Sequence, residues 1–252
     1  MHPCCWCDID EDNLHKKGKT RTFATLLEMF FNYFDANVDR SKAKEYGNVI
    51  HTAIIHDERE DLSTPVIQKV PPPELHLLLG PTQHIIDELT KVWPGCDDWL
   101  RSLNVVRTEY FGGAFEGNDC RKIVKNASSL VAQCPDKFKH FADTLEKFDE
   151  VVRSCYGYTL SDTYKESIAK FTTSYLKLGI SVTPKVHAVM VHVEEFCEYS
   201  GTGLGPYSEQ TSESLHQEFN KCWKRYFVKD KTRPIYGERL LAAVRSFNSN
   251  NI

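Results

Sequence analysis

Apolar residues recur at helical spacing along most of the chain. Thr22 to Asp35 carries Phe23, Leu26, Leu27, Phe30, Phe31 and Phe34 on a 3.6-residue period, which predicts a helix. Leu75, Leu78, Leu79, Ile85, Ile86 and Leu89 form a second stripe that stops before Pro94-Gly95. A helix capped by Asn118 or Asp119 is predicted to carry Cys120, Ile123, Val124, Ala127 and Val131. Phe138 to Val152 and Tyr164 to Leu178 repeat the pattern and end at Gly157 and Gly179, the second opening on a Thr163–Glu166 capping box. Thr183-Pro184 places an N-cap before a proline that suits the first helical position, ahead of Val186, Val189, Met190, Val193 and Phe196. Ser208 is placed to cap a helix burying Leu215, Phe219, Cys222 and Trp223, and a last helix is expected from about Ile235. Only Asn48 to Ile55 and Thr64 to Val70 lean towards β-structure, the second ended by Pro71-Pro-Pro73.

The pattern therefore predicts a mainly α protein with a few short strands. Three segments are expected: 1–70 with a cysteine knuckle and short strands, a helical body over 71–180, and C-terminal helices over 181–252. Composition adds exclusions. Hydrophobic residues make up 41% and charged residues 26%, ordinary values for a globular chain and against general disorder. No apolar run approaches the roughly 18 residues of a membrane span, and the N-terminus lacks the basic start and apolar run of a signal peptide. An intracellular protein without a membrane partner is expected. The nine cysteines then read as thiols or metal ligands rather than disulfides. A net charge of −4 means that any DNA-binding surface must be local.

Four stretches could carry chemistry. Cys4-Cys-Trp-Cys7 contains a C-x-x-C pair that suits two corners of a tetrahedral zinc site. His51 and His56, with four residues between them, are its candidate partners for a structural zinc. Glycines before a helix start, with Arg121, Lys122 and Lys125 beside them, could hold a phosphate of DNA, although surface bases around a helix cap are commoner. Lys185, a fourth basic candidate for nucleic acid, and His187 fall in the first turn of the Pro184 helix, where a histidine is more often a core or supporting residue than a ligand. Glu209, Glu213 and His216 share one helix face at spacings of four and three. That face suits a divalent cation between carboxylates, and it equally suits a solvated polar surface, the reading that spacing alone favours.

The order of these motifs resembles the C-terminal portion of transposon-derived proteins of the RNase H-like DDE transposase class, related to the Plavaka and CACTA groups. The resemblance spans nearly the whole chain. It rests on the knuckle, Pro73-Glu-Leu-His76, Pro184-Lys-Val-His187, and Ser208-Glu-Gln-Thr-Ser-Glu-Ser-Leu-His216. It implies a partial RNase H-like core with a helical insertion, and nuclear DNA as partner. In that class two aspartates and a glutamate hold two magnesium or manganese ions that cleave DNA and transfer strands. The family's Ser-Glu-x-Leu-His pattern assigns the glutamate to Glu213, with Glu209 as the alternate. Pro73 stands where the family often has an aspartate before His76, and Asp8, Asp10 and Asp12 lie in a polar stretch without strand pattern. The resemblance thus implies that both catalytic aspartates lie upstream of Met1 and that this chain alone is inactive. The alternative is a domesticated helical protein-interaction module pinned by structural zinc, and a homo-oligomer is a further candidate partnership.

Overall fold

The structure is a computed structural model describing residues 3–53, 55, 61–107, 114–208 and 218–251. The chain divides into two compact units, Met1–Tyr207 and Ser208–Ile252. The described residues are mainly helical, and their β-structure is confined to isolated bridge residues, among them the antiparallel pairs Cys7–Thr20 and Thr22–Pro65.

In the first unit, α1 (Phe23–Ala36) starts where Thr22 accepts from the Thr25 N–H at 3.2 Å while Thr25 Oγ1 accepts from the Thr22 N–H at 2.9 Å. It stops at Asn37, whose φ of 46° turns the chain left-handed. The body is built from α2 (Glu74–Val92), α3 (Gly95–Ser102), α4 (Gly117–Lys125), α5 (Ala127–Gln133), α6 (Lys139–Cys155) and α7 (Tyr164–Lys177). α6 packs on α4, α5 and α7, while α2 packs on α3, α4 and α6. Leu78, Ile85, Ile86 and Leu89 of α2 are fully buried, as are Ile123, Leu145, Phe148 and Phe171. Each such side chain contributes about 1.5–3 kcal/mol through burial. The Phe148 and Phe171 rings meet at 5.0 Å, joining α6 to α7.

The last α-helical stretch of this unit begins at α8 (Pro184–His187), passes through a π-helical turn at Ala188–His192, and continues as α9 (Val193–Ser200). Thr183 caps it by accepting from the Val186 N–H, with Pro184 in the first turn as its sequence predicts. Gly201 ends it with a φ of 67°, a conformation that glycine adopts without steric cost. α8 packs on α2, so this stretch is held against the helical body.

The second unit holds helical residues 218–223 and α10 (Ile235–Asn251). Phe219 meets Phe247 at 5.5 Å, and Trp223 meets Tyr236 at 5.7 Å.

Several expectations are corrected. Residues 64–70 form the bridge at Pro65 and a short 3-10 turn at Val66–Gln68 rather than a strand. The described part of 48–55 is also not a strand, because Gly47 and Asn48 both adopt positive φ and turn the chain just before it. No RNase H-like sheet is present among the described residues. The helix expected from Asn118 to Val131 starts earlier, after Glu116, and breaks at Asn126, whose Nδ2 turns back to the Lys122 carbonyl at 2.8 Å. The Thr163–Glu166 box does not form: Glu166 pairs with Lys170 at 2.9 Å, and the Thr163 N–H donates to Ser161 Oγ. α3 was not anticipated. Pro94-Gly95 reads as a stop, yet it starts a helix whose first turn carries Asp97 and Asp98, where the helix dipole favours anions.

Candidate metal centre

The N-terminal knuckle is a backbone structure built around two sulfurs. The Trp6 N–H points at Cys4 Sγ at 3.4 Å, so the chain folds back on the first sulfur before it reaches the second. Lys19 and Arg21 then run back alongside the knuckle, with Asp8 N–H donating to the Lys19 carbonyl at 3.0 Å and Arg21 N–H to the Trp6 carbonyl at 2.8 Å. This return requires Gly18: a Cβ there would stand 3.0 Å from Cys7 Sγ and 2.8 Å from the Ile9 nitrogen. Trp6 anchors the knuckle by donating from Nε1 to the Val70 carbonyl at 2.8 Å.

The knuckle meets the helical stretch at residues 187–192. Cys4 Sγ lies 3.2 Å from His192 Nε2, and Cys7 Sγ lies 3.4 Å from His187 Nε2. The two Nε2 atoms are 3.2 Å apart, and all four donor atoms lie within 4.8 Å of one another. A tetrahedral zinc with bonds of about 2.3 Å to sulfur and 2.0–2.1 Å to nitrogen spans roughly 3.4 Å between nitrogens and 3.6 Å between nitrogen and sulfur. The two nitrogen–sulfur separations and the nitrogen–nitrogen separation given above fit those edges to within a few tenths of an ångström. Cys7, His187 and His192 are fully buried, and Cys4 is 5% exposed.

The π turn brings the histidines together. Five residues along an α-helix rotate a side chain about 500°, leaving the two about 140° apart. A π turn closes its hydrogen bonds at i+5 instead, as the Val193 N–H does on the Ala188 carbonyl. His192 therefore comes round to the side of His187, and the two rings meet edge-on with centroids 5.0 Å apart.

The outer nitrogens are held as metal-binding imidazoles require. His187 Nδ1 donates to the Leu14 carbonyl at 2.8 Å, which leaves Nε2 as the lone-pair donor facing the sulfurs. His192 Nδ1 donates to Glu195 Oε2 at 2.8 Å, and Lys17 pairs with the other Glu195 oxygen at 2.9 Å. Burial opposes a charge on His192, but its hydrogen bonds with Cys7 and Glu195 outweigh burial and raise its pKa. The His192 hydrogen bond and then Lys17 hold Glu195 below the usual carboxylate value, against burial.

The thiols are already polarised. The Cys4 hydrogen bond pulls the Cys7 pKa down, helped by His187 and His192, against the cost of burial. The same hydrogen bond, burial and the Cys7 charge push Cys4 up. Burial also lowers the pKa of Arg21, while the charges of Cys4, Cys7 and Cys5 raise it. Burial therefore wins at Arg21, and the sulfurs offset it only in part. The four donors can hold a divalent metal such as zinc, with two thiolates neutralising its charge.

Of the expected ligands, Cys4 and Cys7 belong to this cluster. His51 is exposed and outside it, and His56 lies outside the described residues. His187 and His192 were the missed pair, although they have the same four-residue gap that singled out His51 and His56. Glu209, Glu213 and His216 lie outside the described residues.

The four basic residues considered for nucleic acid are placed as follows. Arg121 pairs with the buried Glu74 at 2.8 Å, and Lys122 pairs with Asp119 at 3.0 Å. Lys125 is exposed and lies in a groove with Asp149 and Glu150. Lys185 is exposed, with its alkyl chain lying over Gly80. No helix among the described residues is long and apolar enough to cross a membrane.

Fold and site define the class as a mainly helical protein with a buried Cys2His2 cluster whose four donors could hold a metal ion. No protein-family model matches the chain, and no curated protein matches it significantly.

Proposed function

We propose that the first unit is an interaction module closed by a structural zinc ion. What carries this reading is the burial of a complete Cys2His2 set, Cys4, Cys7, His187 and His192, with both outer imidazole nitrogens bonded to protein. Four protein donors saturate a tetrahedral zinc, whereas a catalytic zinc keeps one position for water or substrate. The ion would supply charge and a fixed geometry that join the knuckle to the helical body. Elemental analysis of the purified protein tests this: about one zinc per chain is expected, falling to near zero in C7S/H192A. Metal-free protein with undiminished thermal stability would overturn it.

A second reading keeps the transposase resemblance, with Glu213 as a DDE-type glutamate, magnesium or manganese as its ions, and DNA as partner. One observation favours it: Cys4-x-x-Cys7 and Pro184-Lys-Val-His187, two motifs that carry the resemblance, meet in the cluster. On this reading the chain is inactive alone. Supercoiled plasmid incubated with the protein and either ion should stay intact; nicking that disappears in E213A would refute the inactive-chain reading.

A further inference from the structure

We propose that the loop between the helical stretches of the second unit is a binding surface for single-stranded nucleic acid. Residues 221–233 read Lys-Cys-Trp-Lys-Arg-Tyr-Phe-Val-Lys-Asp-Lys-Thr-Arg, six bases against one acid in a chain whose net charge is −4. Lys221, Lys224, Arg225, Lys229, Lys231 and Arg233 are all exposed, and none forms an ion pair with a described residue. Asp230 is taken up by its own turn, accepting from the Thr232 N–H at 3.0 Å and from Thr232 Oγ1 at 2.7 Å. The positive charge is therefore left uncompensated. Two contacts also gather it. The Trp223 and Tyr236 rings meet at 5.7 Å, and Cys222 Sγ donates to the Ala243 carbonyl at 3.6 Å. Residues 224–235 are thereby closed into a loop, which holds every one of these bases but Lys221 within about 20 Å of the ring pair.

Charge calls for a polyanion, and the aromatic rings select its kind. Phe227, between Arg225 and Lys229 in the chain, is 61% exposed, and its ring stands edge-on to Trp223 at 6.2 Å. Bases that track phosphates beside a ring on which a nucleobase can stack are what an unpaired strand requires. A duplex hides its base faces and admits a helix or a two-stranded ribbon into its major groove. Residues 224–234 are turns and irregular backbone, so they offer neither. An anionic membrane surface is bound by an amphipathic helix with a broad apolar face. Between Lys221 and Arg233 the one large apolar side chain that is exposed is Phe227. Phosphates and base faces are common to RNA and DNA, so strands of either sugar are equivalent ligands. The surface depends on neither reading above, since neither the cysteine–histidine cluster nor Glu213 contributes to it.

Fluorescence anisotropy of labelled oligouridine and oligothymidine of about 20 nucleotides, titrated with the full chain at about 50–200 mM salt, is the test. Contact with about five phosphates of a single strand gives a slope of about −3.5 in log affinity against log salt, a loss of about a hundredfold across that range. K229Q/K231Q/R233Q is expected to reduce the slope by about 2. F227A should weaken binding about tenfold at an unchanged slope, because it removes stacking and no charge. All four positions are exposed, so Tm should hold in both variants. K125Q/K185Q, in the first unit, should bind as the parent does, and a duplex of the same length should bind more weakly. No binding at 50 mM salt, a slope unchanged in the triple variant, F227A without effect, a duplex held as tightly as the single strands, loss of binding in K125Q/K185Q, or tighter capture by phosphatidylserine vesicles would overturn the proposal.

Discussion

On the structural-zinc reading, stripping the metal from the Cys4, Cys7, His187 and His192 cluster should weaken the first unit by an amount that the chain path sets. The clasp joins residues 188 positions apart at Cys4–His192 and 180 apart at Cys7–His187. Treated as a cross-link closing a loop of that length, it removes about 5 kcal/mol of unfolded-chain entropy. Domains of this size have net stabilities of about 5–15 kcal/mol, so the loss is a large fraction of the whole. For a unit spanning Met1–Tyr207, each kcal/mol corresponds to about 2–4 °C, and the Tm should fall by about 10–20 °C. The measurement is a thermal melt of metal-loaded protein against protein treated with a strong chelator under reducing conditions, with metal loss verified by elemental analysis. A melt shifted by less than about 2 °C after verified removal would refute the clasp. Tryptophan fluorescence provides a local readout, because Trp6 lies 5.2 Å from the His192 ring and should become solvated when the knuckle detaches.

Three further outcomes follow from single features. Glu195→Gln keeps the shape at His192 Nδ1 but loses the charge held by Lys17, so metal affinity measured by chelator competition should fall about 10–100-fold. Arg121→Ala leaves Glu74, 2% exposed, without its guanidinium, and denaturant melts should show a loss of about 2 kcal/mol, discounted because the arginine is partly solvated. Pairing it with Glu74→Gln should recover part of that loss. Deleting Met190 removes the extra residue of the π turn, so α8 and α9 should join as one regular α-helix with the histidines at i and i+4. That variant should still bind one metal per chain by elemental analysis; complete loss would show that the pair needs the i+5 geometry.

Nearly all of the helical plan was legible in the chain. A 3.6-residue apolar period is a local signal, and the stripes at Leu75–Leu89, Phe138–Val152 and Tyr164–Leu178 became α2, α6 and α7. The Thr183-Pro184 start was equally local, a hydroxyl cap followed by a residue with φ already set for a helix. Failures came where short signals had two solutions. Proline before glycine at 94–95 both ends α2 and begins α3, and β-leaning residues at 64–70 had no neighbouring strand to pair with among the described residues.

For the site, the sequence by itself determined half of the donor set. Cys4 and Cys7 are close because only two residues separate them, and any fold would keep them close. The histidines were degenerate at that level, since His51–His56 and His187–His192 have the same gap. Their surroundings differ: His187 and His192 sit among buried Val186, Ala188, Val189 and Val193, whereas His51 is exposed. Only the tertiary structure decided between the pairs. It carries a helix about 180 residues downstream back to the knuckle, and its π turn brings His192 round to the side of His187. Neither event leaves a local trace, because both depend on how α8 packs against α2 and how Trp6 fastens the knuckle to Val70.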